Sequence, residues 1–234
     1  MANGRTPWEF FERRFETARN HVQVLPPDAE RRDVVVHDLG LDPDGTIAHV
    51  TRNMGGAFVD HAWIRLLGSG HARMTRGLDA WNGARGHLDP WRTGLVFVVA
   101  HDVVGGFFAI DLGALGFGRG RVAYLAPDTV QWEDLEMGYS DFLQWLADGG
   151  VADFAGDQRW PGWQEEVQAL SGDQGIFVAP PLWAEGPPLR ERTRTDVPMT
   201  KLWTYAHDTM RKLQDVPEGS VVPIGVANRP WPGA

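Results

Sequence analysis

Cysteine is absent from the 234 residues. That one absence excludes disulfide frameworks, cysteine-ligated zinc, iron–sulfur clusters and thiol nucleophiles. It fits a reducing compartment. Lysine is almost missing too: Lys201 and Lys212 stand alone, so arginine carries nearly all the positive charge. Lys+Arg 22 against Asp+Glu 31 gives a formal charge of −9. Such a surface repels phosphate backbones. The densest basic run, Arg190, Arg192 and Arg194, is diluted by Glu191 and Asp196, so no nucleic-acid partner is expected. The longest apolar run, Leu95 to Ala100, is six residues, against the ~20 that span a bilayer. The N-terminus shows no apolar signal-peptide core. A soluble cytoplasmic protein with no membrane partner is the expectation.

What is present is ordinary for a globular chain, 43% hydrophobic and 23% charged. Eleven Trp and eleven Phe against three Tyr make an aromatic-heavy inventory. Each Trp buries a large apolar area and brings one N–H that wants a partner.

Thr6-Pro7-Trp8-Glu9 is a capping box with proline at the first helical position. Trp8, Phe11, Phe15 and Ala18 follow at helical spacing and predict an apolar stripe. His21–Leu25 reads as a short strand ended by Pro26-Pro27, and Asp28–Leu39 as a second helix stopped by Gly40. After the turn Asp42-Pro43-Asp44-Gly45, three strands are expected: Thr46–Arg52, Ala57–Asp60 and Trp63–Leu67, the first two joined by Gly55-Gly56. Leu78–Trp81 reads as a helical turn. Leu95–Ala100 reads as a strand buried on both faces, and Phe107–Leu112 with Arg121–Ala126 extends it into an antiparallel meander.

Ser140 is read as the cap of a helix ended by Gly149-Gly150. Trp163–Leu170 predicts another helix and Gln174–Val178 another strand. A proline-rich loop then runs to Asp196, and Pro198 opens a last helix through Leu213. These signals describe one α+β domain over 1–216, a mainly antiparallel sheet flanked by several helices, with a loosely held Pro/Gly-rich tail over 217–234.

Catalytic templates fail one after another. Leu67 stands where Gly-x-Ser-x-Gly needs a glycine before Ser69, and neither lysine lies near a phosphate-cradling loop. The glycine-rich Gly113–Gly120 precedes a strand rather than a helix. The eight histidines show no zinc spacing, so no metal and no cofactor is expected. His101-Asp102, at the end of the buried strand, is the most interesting ionisable pair, although neighbours on an extended chain point to opposite faces. Asp128, Glu133, Asp134, Glu136 and Asp141 are read as a solvated acidic loop. Trp145, Trp160, Trp163 and Trp183 cluster around the short helices and serve either as core or as an exposed stacking face.

The ordered motifs Gly105-Gly106-Phe107-Phe108-Ala109, Tyr124-Leu125-Ala126-Pro127-Asp128-Thr129, Trp132-Glu133, Met137-Gly138-Tyr139-Ser140-Asp141-Phe142, Arg159-Trp160-Pro161-Gly162-Trp163 and Gly172-Asp173-Gln174-Gly175 carry a resemblance. So do Trp63–Gly70 upstream and Val197-Pro198-Met199 downstream. Together they closely resemble an uncharacterised bacterial family, domain of unknown function 2625, over nearly the whole chain. The chain departs from the family at Asp111-Leu112-Gly113, where the family has Asn-Gly-Gly. The resemblance brings no activity and no catalytic residues. A looser resemblance runs to the SUKH superfamily of bacterial α+β immunity and protein-binding proteins. It rests on a glycine-preceded strand, a strand ending in an acidic turn, and an aromatic-rich helix.

Two functions follow as expectations. The first is a protein-binding module of immunity or SUKH-like type, whose acidic surface attracts a basic protein partner. The second is a small-ligand, sugar-type binder or hydrolase using a carboxylate/His cleft of His101, Asp102, Asp128, Trp132 and Glu133. Tyr139, Trp160 and Trp163 complete the candidate binding set. Binding is expected ahead of catalysis.

Overall fold

The computed structural model describes residues 6–83 and 96–217. Leu95 and the tail from residue 218 lie outside the described residues. Among them the chain runs α1 (Pro7–Glu16), β1 (Val22–Leu25), α2 (Arg32–Asp38), α3 (Thr46–Asn53), β2 (Gly56–Val59), β3 (Ile64–Leu67) and α4 (Leu78–Asn82). There follow β4 (Val96–Asp102), β5 (Phe107–Asp111), β6 (Arg121–Leu125), β7 (Trp132–Gly138), α5 (Tyr139–Asp148) and α6 (Gly150–Phe154). The chain closes with α7 (Trp163–Gln168), β8 (Gln174–Ala179), β9 (Thr193–Pro198) and α8 (Met199–Leu213). Strands β1 to β7 form one antiparallel sheet in chain order, and β8 pairs with β9 in a separate ribbon. The fold is α+β.

The cross-strand register decides which side chains share a face. One row reads Gln23, Phe58, Arg65, His101, Phe107, Leu125 and Trp132 across the seven strands. The row beside it, on the opposite face, reads Val24, Ala57, Leu66, Ala100, Phe108, Tyr124 and Glu133. Phe108 packs against Phe142, Trp145 and Phe154, so α5 and α6 cover its face. Helix α1 packs on α3 and α5 there, with Arg14 paired to Asp148 at 2.9 Å. Phe107 meets Trp81 of α4 and Trp203 of α8, so those helices cover the other face. The β8–β9 ribbon joins them through Ile176 N–H donating to the Val103 carbonyl at 2.7 Å.

Local chemistry explains most boundaries. The Thr6–Glu9 capping box forms in both directions, and Phe11 and Phe15 are buried as the stripe requires. Gly149 stops α5 in the left-handed conformation.

Six expectations need correction. Thr46–Arg52 is helix α3, not a strand: Ile47, Val50, Thr51 and Met54 recur at three- and four-residue spacing, a period masked by the β-branched side chains of Ile47, Val50 and Thr51. Gly55-Gly56 is therefore no hairpin turn. It threads the chain into β2, where a Cβ on Gly55 would lie 2.5 Å from the Gly70 carbonyl oxygen.

Asp28–Arg31 stays outside α2, because the Asp28 carboxylate takes the Glu30 N–H in a local turn. Ser140 lies inside α5, its hydroxyl on that of Thr46, while Gly138 holds the cap position. Glu133, Asp134 and Glu136 of the acidic stretch lie on edge strand β7, Asp141 lies in α5, and the loop before Pro198 contains β9. Both extra strands are charged and largely exposed on one side, so neither shows the apolar run that marked the central ones. Helix α6 directly after Gly149 was likewise not expected.

Among the described residues no helix is long and apolar enough to cross a membrane.

Candidate functional site

The eight sequence candidates do not meet in one cleft. His101 and Asp102 are each 1% exposed and point to opposite faces of the sheet. His101 lies among Trp81 and Phe107. Burial, reinforced by the Arg65 guanidinium, pushes its pKa down to about 3, so the ring is neutral. Asp102 closes a turn instead: its carboxylate accepts the N–H groups of Val104 and Gly106 at 2.9 and 2.8 Å and the Tyr124 hydroxyl at 2.6 Å. Burial raises its pKa against the pull of those hydrogen bonds.

Asp128 is exposed on the β6–β7 turn. Glu133 is exposed on β7 and accepts the Thr129 hydroxyl at 2.8 Å. Trp132 is half-buried at the head of that edge strand, and Tyr139 is buried at the start of α5. The four tryptophans separate as well. Trp145 packs on Phe108, Trp183 donates to the Tyr205 hydroxyl, and only Trp160 and Trp163 stay together. Among the described residues no group of three His, Asp or Glu side chains gathers to hold a metal.

Trp160 and Trp163 lead to a site the sequence reading missed. The β2–β3 connection places Asp60, His61 and Ala62 at φ of 50°, 55° and 68°. Three consecutive non-glycine residues in the left-handed region cost on the order of 3 kcal/mol together. The restraint is visible. The Asp60 carboxylate pairs with the Arg159 guanidinium, which lies 4.4 Å from the Trp163 ring centre and 5.2 Å from that of Trp63. Trp63 meets Trp160 at 5.8 Å, Arg194 lies over Trp160 at 4.8 Å, and Glu166 bonds both Arg194 and the Trp160 indole N–H. This ladder of rings and guanidinium groups fixes the strained turn from below.

The turn lifts His61 into a surface pocket of about 420 Å³ lined by His21, Gln23, Phe58, His61, Arg73 and Gln168, among others. His21 and His61 stack at 4.9 Å with their planes 10° apart. The Gln168 amide faces His61 Nδ1 at 2.7 Å, and as its N–H₂ donates, the neutral ring carries its proton on Nε2. Arg73 lies 4.7 Å from the Phe58 ring centre and donates to the Gln23 side-chain carbonyl at 2.9 Å. Among the described residues no carboxylate lines the pocket. Its polar groups are a guanidinium, two imidazoles and two amides.

The family described as "Protein of unknown function DUF2625" matches residues 2–202. The chain belongs to this family. Among relatives of this DUF2625 protein, the uncharacterised protein YbfG of Escherichia coli K12 is 33% identical over 197 residues, 84% of this chain and 88% of that one. An uncharacterised protein of Haemophilus influenzae Rd is 30% identical over 174 residues, 74% and 76% of the two chains. No solved structure matches this DUF2625 chain.

Proposed function

We propose that this protein binds a small anionic molecule, a carboxylate or a phosphate ester, in the pocket above the β2–β3 turn. The observation that carries this reading is the strained Asp60–Ala62 run, held in place so that His61 faces the pocket. Backbone strain of this kind persists only where surrounding structure over-determines it, and it concentrates at binding sites. The pocket's size falls within the usual range for small ligands. The chemistry selects the ligand's sign. Arg73 offers a forked donor, His21 and His61 offer flat rings and N–H groups, and the two glutamines offer amides. The chain as a whole is acidic, so this concentration of donors without a carboxylate stands out from its surface.

A thermal-shift series with phosphate, citrate and phenyl phosphate at constant ionic strength tests the reading. A saturable rise in Tm that Arg73→Ala abolishes supports it. No rise with any of the three removes it.

A second reading, a module for a basic protein partner, draws on edge strand β7. Asp128, Glu133 and Glu136 are exposed along that border of the sheet. The left-handed Glu136, with φ of 58°, bends the strand and blocks simple strand addition, so a partner would meet side chains rather than open backbone. Capture of one salt-sensitive basic protein, lost when the three carboxylates are made amides, would favour this reading over the first.

A further inference from the structure

At the centre of the sheet, independently of the surface pocket, three side chains grouped around His101 carry buried nitrogens that have no hydrogen-bond partner among the described residues. Arg65 is 0% exposed, and none of its guanidinium nitrogens has a hydrogen-bond partner among the described residues. His101 is its cross-strand neighbour, and His101 Nδ1 is also unpartnered. The Trp81 ring lies 5.7 Å from that of His101, and its indole N–H is the third unpartnered group. All three belong to the face covered by α4 and α8.

The charge balance there is one-sided. The carboxylate that acts on Arg65 electrostatically is Asp102. It stands on the adjacent strand with its side chain on the opposite face, committed to Tyr124 and two backbone N–H groups. A buried guanidinium with five unmet donors costs several kcal/mol, and native interiors leave few such groups unpaired. The three side chains supply donors almost exclusively: the guanidinium fork, the indole N–H, and Nδ1–H in one tautomer of the neutral imidazole. A water molecule would satisfy some of these donors and leave the positive charge in place. An anion meets both demands.

We propose that Arg65, His101 and Trp81 form an interior site for a small monovalent anion of the size of chloride, nitrate or formate. The nitrogens are closed off from solvent, which sets the size limit. The anion enters as the sheet and its covering helices pack, and it stabilises the folded chain by mass action.

The test is Tm of the full chain in Hepes–gluconate, titrated with chloride, nitrate or formate while gluconate keeps ionic strength constant. An Arg73→Ala background keeps the surface pocket from contributing. The expected result is a saturable rise of several degrees with at least one of the three anions. Arg65→Met abolishes the rise, and Trp81→Phe, which removes one donor, shifts its midpoint to about tenfold higher concentration. The Trp81 variant keeps the proposal testable should Arg65→Met not fold. A flat response in the parent, an undiminished rise in Arg65→Met, or an unmoved midpoint in Trp81→Phe overturns it.

Discussion

Arg159→Met removes the guanidinium that pairs with Asp60 but keeps a flexible apolar stem between the Trp63 and Trp163 rings. The Arg159 and Asp60 side chains are only 15% and 11% exposed, so solvent screens the pair weakly. Removing one partner of a fully buried pair costs about 3–5 kcal/mol, and the residual exposure here brings that to about 2–3. The two cation–π contacts add about 1 kcal/mol between them. A total loss of about 3 kcal/mol is expected. Asp60→Asn costs less, about 1–2 kcal/mol, because asparagine tolerates the left-handed backbone and keeps one acceptor. The double variant has neither an orphan carboxylate nor an orphan guanidinium, so it should cost about 2 kcal/mol less than the sum of the singles. Urea unfolding followed by far-UV circular dichroism, with the m-value checked for constancy, reads all three. Tryptophan fluorescence is unsuitable, since Trp63 and Trp163 flank the change. An Arg159→Met variant within about 0.5 kcal/mol of the parent, or a strictly additive cycle, would refute the claim that this pair holds the turn.

Three further outcomes are expected. Gly106→Ala should lower Tm by at least several degrees in a calorimetric scan, because its Cβ would lie 2.2 Å from Asp102 Oδ2 and 2.3 Å from the Tyr124 hydroxyl. Tyr124→Phe removes a donor from the buried Asp102 carboxylate and should cost about 1.5–3 kcal/mol at neutral pH. Asp102 has a raised folded pKa, so its ionisation weakens folding as pH rises. The Tyr124→Phe deficit should therefore shrink as pH falls towards the ordinary carboxylate range near 4, which urea melts at several pH values will show. His101 behaves oppositely: the unfolded chain takes up its proton below about pH 6.5 while the folded chain refuses it until about pH 3. It should remove about 1.4 kcal/mol of stability per pH unit across that window, a slope His101→Gln should lack.

How far the fold was legible depended on whether a local signal and the tertiary demand agreed. The α1 capping box, the Gly149 stop and the Phe107–Asp111 strand were legible because each is specified by residues within one turn or one strand. Helix α3 is hidden in the sequence because Ile47, Val50 and Thr51 favour strands locally. Only their burial against neighbouring helices selects the helical period. Strands β7 and β9 were invisible for a different reason. Trp132-Glu133-Asp134 and Thr193-Arg194-Thr195-Asp196 are polar at most positions, and their strand state comes from the partners β6 and β8.

The candidate site divides along the same line. His101-Asp102 was found by sequence because two ionisable residues end an apolar strand. Its burial was set by α4, α8 and the ladder of β4 with β5, which no local pattern reveals. The surface pocket left one readable trace. Strands Ala57–Asp60 and Trp63–Leu67 leave only His61-Ala62 between them, and a two-residue hairpin loop demands positive φ, ordinarily met by Gly, Asn or Asp. His61-Ala62 breaks that rule, and a broken local rule in an otherwise consistent sequence marks strain that something else must hold. That holder, Arg159, lies 99 residues from Asp60 along the chain. The violation was therefore visible in two adjacent residues, while its explanation required the fold.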